Sequence, residues 1–234
     1  MTFDKQTVLV TGAAGNLGRA VADAFFQRGA NLVLFARRRE ELEKVYGRED
    51  ERHLFAAADL LDQSQVDAVV KAAIERYGRI DVLCNIAGGF RMGTPVHETP
   101  DEVWQSMLDT NARSVITMAR AVVPRMIAAA SGKIVNVAAM AALAGRAGMG
   151  AYCASKCATI RLTETMAAEL RDKGINVNCV MPSIIDTPQN RAAMPDADPR
   201  RWVTPAALAE MILFLASDAA RAVHGAAVPV VGLS

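Results

Sequence analysis

The chain has 234 residues, of which 52% are hydrophobic and 22% charged, with a formal net charge of +1. That is enough apolar material for one core, and so balanced a charge gives no footprint for nucleic acid or an anionic membrane surface. No apolar run approaches the roughly 18 residues that suggest a membrane span. The opening, MTFDKQTVLVTG, has no basic region followed by an apolar signal core, so a cytoplasmic protein is expected. Four cysteines form no CxxC pair and three histidines are scattered, so no metal site is expected and buried free thiols in a reducing compartment are.

Short β-branched runs alternate with longer helical patterns. Residues 7–12, 31–36, 53–59, 80–88, 132–139, 175–182 and 226–231 read as strands. Helical patterns cover 17–29, 64–78, about 101–130, 151–173 and 205–217, and Pro124 should kink or end the third of these. This alternation predicts a single α/β domain over 1–234, a Rossmann-type doubly wound parallel sheet of about seven strands with helices on both faces. Residues 184–203 carry three prolines and no periodicity, which suits a substrate-binding loop or lid.

The first strand runs into TGAAGNLG, which places Gly12, Gly15 and Gly18 between a strand and a helix. Glycines there allow a tight turn and let backbone amides approach a pyrophosphate at a helix N-terminus. The second strand ends in Arg37 and Arg38, with no acid before Glu40. An acid would bond the ribose of NAD, whereas bases accommodate the 2′-phosphate of NADP, so NADP(H) is favoured and NAD(H) is the alternative. In AYCASKCATI, Tyr152 and Lys156 stand four apart, on one helix face. A phenol beside an ammonium can serve as a proton donor near neutral pH.

Together with ADL at 58–60, NIAGG at 85–89, Asn111 in DTNA, IVNV and MPSIIDT at 181–187, these motifs resemble the short-chain dehydrogenase/reductase family over essentially the whole chain. The resemblance implies an NAD(P)-dependent oxidoreductase acting on a small molecule. Tyr152 would donate the proton, Lys156 would bind the nicotinamide ribose and lower the tyrosine pKa, and Asn111 would hold a relay water. Cofactor contacts would come from Gly12, Gly15, Asn16, Leu17 and Gly18, from Arg37 and Arg38, and from Asp59 and Leu60 at the adenine. Asn85, Ala87 and Gly88, then Pro182, Ile185 and Thr187, would complete them. Helices 101–130 and 151–173 carry apolar residues on more than one face, and in the family they build the interfaces of a homodimer or homotetramer.

Three departures stand out. Asn16 occupies the middle glycine of the TGxxxGxG spacing usual in single-domain members. Ala139 stands thirteen residues before Tyr152, where the family carries a catalytic serine, and no hydroxyl lies between Asn136 and Tyr152. Ser183 follows Pro182 where a glycine is usual, and the sequence ends in VVGLS. Residues 186–202 are similar to the corresponding stretch of dihydropteridine reductases, which also lack the serine and reduce an electron-poor conjugated ring. A small carbonyl or a conjugated, quinonoid or imine-like substrate is therefore expected. Ala139, Met140, Met194 and Trp202 are candidates to touch it, with Met92 and Met149 as further apolar walls; Trp104 reads as packing. The alternative from another class is a non-catalytic NADP(H)-binding sensor or regulatory protein.

Overall fold

A computed structural model describes residues 1–234. Seven strands form one parallel sheet: β1 (Thr7–Val10), β2 (Asn31–Ala36), β3 (His53–Ala57), β4 (Val82–Asn85), β5 (Gly132–Val137), β6 (Ile175–Pro182) and β7 (Ala227–Val230), in the order β3-β2-β1-β4-β5-β6-β7. The order reverses between β1 and β4, and in such sheets ligands bind beyond the strand C-termini at that reversal. The central strands are buried almost throughout because helices cover both faces.

On one face α1 (Asn16–Phe26) packs over β1 and β2 and α8 (Pro205–Ala216) over β5 and β6, burying Val21, Phe25, Leu208, Ile212 and Leu213. On the other lie α3 (Gln63–Tyr77), α5 (Ser114–Ala128) and α6 (Gly150–Leu170), which contribute Val66, Val70, Met118, Val122 and Leu170 to a second core. Two shorter helices, α2 (Arg39–Tyr46) and α4 (Asp101–Leu108), start just beyond β2 and ahead of α5. Asp62 caps α3 by accepting from the amides of Ser64 and Gln65, and Gly78 closes it in the left-handed conformation.

The expected helix over 101–130 is interrupted, but not at Pro124. A π-helical turn at Asp109–Arg113 separates α4 from α5, and α5 runs through Pro124 to Ala128. The strands read as 7–12 and 80–88 are shorter, because Thr11 turns the chain out of the sheet and Asn85 ends the pairing of β4. The segment 184–203 is not structureless: it holds a helical turn, α7 (Pro188–Ala193), and a 3-10 turn at Pro199–Arg201. Trp104 is 44% exposed rather than packed away, and Ile116 and Ile127 of α5 are also exposed. No helix is long and apolar enough to cross a membrane.

Candidate active site

The glycine loop is shaped by backbone contacts. Thr11 Oγ1 accepts hydrogen bonds from the amides of Ile86 and Ala87 at 2.9 and 3.0 Å, tying the end of β1 to the end of β4. Gly12 has a φ of +64°, and a Cβ there would lie 2.9 Å from the Ala87 Cα. A Cβ on Gly18 would lie 2.1 Å from the Gly12 carbonyl oxygen. These positions must be glycine for the helix to start so close to the strand. The first turn of α1 carries no acidic side chain, so its free amides and positive dipole end are uncompensated.

A cavity of about 440 Å³ opens beside this loop. Gly12, Gly15, Leu17, Gly18, Arg37, Asp59, Leu60, Ala87 and Gly88 line it, with Glu41. Its size suits a small-molecule or cofactor site. A Cβ-free cradle, uncompensated helix amides and a basic side chain together fit a dinucleotide. Arg37 lines the cavity, whereas Arg38 does not and pairs with the cavity-lining Glu41 at 2.7 Å. Asn85 does not line it either: its buried amide donates to Asn136 Oδ1 at 2.8 Å and joins β4 to β5. Tyr46 of α2 steadies the loop by donating to the Ala13 carbonyl at 2.7 Å, and burial pushes its hydroxyl pKa up.

Tyr152 and Lys156 lie on the first two turns of α6. Lys156 Nζ is buried and donates to the Val137 carbonyl at 2.8 Å, and burial lowers its pKa to about 8. Asn111 sits in the π-helical turn, where its Oδ1 accepts from the Gly89 amide at 2.9 Å and its Nδ2 donates to the Gly89 carbonyl at 3.0 Å and to Ser155 Oγ at 2.9 Å. A Cβ on Gly88 would lie 3.0 Å from Asn111 Oδ1 and 3.1 Å from Lys156 Nζ. The bare Cα of Gly88 is therefore what lets both side chains close on this backbone position beside the cavity.

The surroundings of Tyr152 are apolar. It packs with Ala139, Ala141, Met149 and Cys153, none of which bears a hydroxyl. Phe90 stands edge-on to its ring, with centroids 4.8 Å apart, and is 52% exposed. Burial pushes the Tyr152 pKa up to about 12, opposite to the lowering expected from Lys156, whose ammonium is engaged with Val137. Ser155 does not replace the missing serine: its hydroxyl donates to the Tyr152 carbonyl and accepts from Asn111. Sequence reading missed Phe90 and Ser155. The place of Phe90 directly after NIAGG, at the C-terminal end of β4, is the signal that could have found it.

The lid follows β6. Thr187 caps α7 by accepting from the Asn190 amide at 3.2 Å, Pro188 takes the first helical position, and Asp186 forms a two-point ion pair with Arg191. Ile185 accepts from Asn190 Nδ2 at 2.8 Å, and Pro182 is the buried last residue of β6. Met194 is half-buried at the end of α7. Trp202 is only 6% exposed and does not line the glycine-loop cavity. Ser183 and the VVGLS segment, both departures from the family pattern, meet: Ser183 Oγ donates to the Val231 carbonyl at 2.8 Å and lies 2.7 Å from Ser234 Oγ.

The family model described as short chain dehydrogenase matches residues 6–198, and the chain belongs to that family of NAD(P)-dependent oxidoreductases. It is similar to a D-threitol dehydrogenase of Mycolicibacterium smegmatis, with 34% identity over 96% of this chain and 90% of that protein. It is also similar to a 3-oxoacyl-[acyl-carrier-protein] reductase of Thermotoga maritima, with 33% identity over 99% and 98% of the two chains. Among solved structures, NAD+-bound xylitol dehydrogenase superposes with a TM-score of 0.90 at 29% identity, covering 99% of this chain and all of that one.

Proposed function

We propose that the chain is an NADP(H)-dependent reductase of a small, electron-poor carbonyl or conjugated substrate, quinonoid or imine-like, with Tyr152 as the proton donor. The observation that carries this reading is that Asn111 and Lys156 both close on Gly88, a residue lining the glycine-loop cavity, while Tyr152, one helical turn before Lys156, packs beside Ala139, which supplies no second hydroxyl. Gly12, Gly15, Leu17, Gly18, Asp59, Leu60, Ala87 and Gly88, which line the cavity, would hold the dinucleotide, and Lys156 and Thr187 its nicotinamide end; the Asn16 side chain does not line the cavity and bonds Gln189 instead. When bound, the nicotinamide supplies the hydride; everything else falls to the protein.

Tyr152 enters the reaction as a neutral phenol, because burial disfavours its anion. It gives its proton to the oxygen or nitrogen that gains negative charge. The Lys156 ammonium then stabilises the phenolate left behind. Asn111 holds the Gly88–Gly89 backbone against α6, so the three groups keep their spacing. Losing one hydrogen-bond donor from such a site typically costs roughly 10²–10³ in rate. A substrate with an isolated, unactivated carbonyl would bear that cost in full, whereas a conjugated electrophile depends less on the donor. The apolar walls of Phe90 and Met149 suit a flat, weakly polar ring. The similarity of residues 186–202 to dihydropteridine reductases supports a quinonoid pterin as one such substrate.

Arg37 supports the NADP(H) preference: it is the cation lining the cavity at the end of β2, and the nearby Glu41 is held by Arg38. The exposed Trp104, Ile116 and Ile127 support a homodimer or homotetramer built through α4 and α5. Tyr152→Phe tests the central role. An enzyme loses turnover by roughly 10²–10⁴ while still binding nicotinamide cofactor. A cofactor-binding sensor would give no turnover to lose in the wild type, and the substitution would change nothing.

A further inference from the structure

Asn16, the residue that replaces the usual middle glycine, reaches across the molecule. It is the first residue of α1, and its Nδ2 donates to Gln189 Oε1 of the lid helix α7 at 2.8 Å, a contact between positions 173 apart in sequence. Glycine at position 16 could not make it. The helix it meets has six residues, too few to be stable alone. Its internal supports, the Thr187 cap and the Asp186–Arg191 pair, fix its shape and not its place. The distal end of the lid is tied down separately, by Arg201 donating to the Leu233 carbonyl at 2.7 Å and by the buried Trp202. The Asn16–Gln189 bond joins the near end of the lid to the glycine loop, and moving α7 away from that loop breaks it.

We propose that Asn16 and Gln189 form a positioning bridge that holds the lid helix on the dinucleotide loop, slows cofactor release and keeps Thr187 at its station. The proposal rests on reading the cavity as a dinucleotide site. A neutral hydrogen bond of ordinary worth corresponds to a factor of roughly 2–10. The bridge predicts that Asn16→Ala and Gln189→Ala each weaken NADPH binding by about that factor, read by nicotinamide fluorescence. For Gln189→Ala the effect falls on the cofactor KM more than on kcat.

The experiment is a double-mutant cycle with two readouts, cofactor affinity and the rate of tryptic cleavage after Arg191 in the full chain without cofactor. The expected result is that the double variant is no worse than either single one, that all three are cleaved faster than wild type, and that the exchanged pair Asn16→Gln with Gln189→Asn recovers slow cleavage and tight binding. Strictly additive losses, or cleavage and affinity both unchanged in the single variants, would overturn the bridge. Absence of any nicotinamide binding by the wild type would instead overturn the dinucleotide reading, and the cleavage cycle would still report on the bridge alone.

Discussion

The two halves of the site are built from different materials. The half around β1, β2 and β4 is shaped by backbone: positive φ at Gly12, carbonyls packed where side chains would be at Gly18, and free amides at the start of α1. The half around β5, β6 and the segment 184–203 is shaped by side chains: Ala139, Tyr152 and Lys156, with Phe90 edge-on to Tyr152 and α7 joined to Asn16 through Gln189. Backbone constraints admit few residues and bind what all dinucleotides share. Side chains can be exchanged singly, so the proposed function puts chemistry and selectivity in the second half. The departures from the family pattern follow this division, since Ala139 and Ser183 fall in the substrate half and Asn16 is the one residue of the loop that reaches over to it.

That contrast can be broken by attacking charge in each half. In the substrate half, Lys156 has a pKa lowered to about 8, so it is a cation below that pH and a neutral amine above it. In the proposed reaction that cation stabilises the Tyr152 phenolate. The reduction rate is therefore expected to hold steady below pH 8 and to fall as pH rises through about 8, with cofactor kept saturating. Lys156→Met should cost roughly 10²–10³ in kcat and remove that limb from a pH–rate profile. A limb that survives in the variant would show that another group titrates there.

In the cofactor half the expected effect is smaller and concerns preference. Arg37→Asp should lower the ratio of NADPH to NADH affinity by roughly 10–100-fold, the worth of one charge-assisted hydrogen bond to the 2′-phosphate. Titration of both cofactors against both proteins measures it. An unchanged ratio would mean that Arg37 lines the cavity without reading the ribose.

The division also explains what could be read in the sequence. The sheet and the glycine loop were legible because strand runs buried on both faces are continuous, as in β2 and β6, and because Gly12 and Gly18 sit where geometry tolerates nothing else. The seven strands and the helices on both faces follow the sequence reading. The π-helical turn that presents Asn111 was not legible, since DTNA lies in an unbroken helical pattern and Pro124 drew attention to the wrong place. Nor were the roles of individual side chains: Arg37 and Arg38 are identical neighbours, yet one lines the cavity and the other pairs with Glu41. Trp202 looked available within a polar segment, but tertiary packing buries it. Contacts such as Asn16 to Gln189 depend on the fold bringing distant residues together and leave no local signal.

The central claim is that a serine-less, apolar proton-donor site is matched to an activated electrophile. The direct measurement is oxidation of NADPH and NADH at a fixed enzyme concentration against four substrates: an acetoacetyl thioester, a diketone, a quinone and a quinonoid dihydropterin. The account predicts turnover of the quinone or the dihydropterin and little of the thioester. Efficient thioester reduction, with the quinone and dihydropterin untouched, would contradict it, and would mean that Tyr152 and Lys156 polarise an ordinary carbonyl without a second donor.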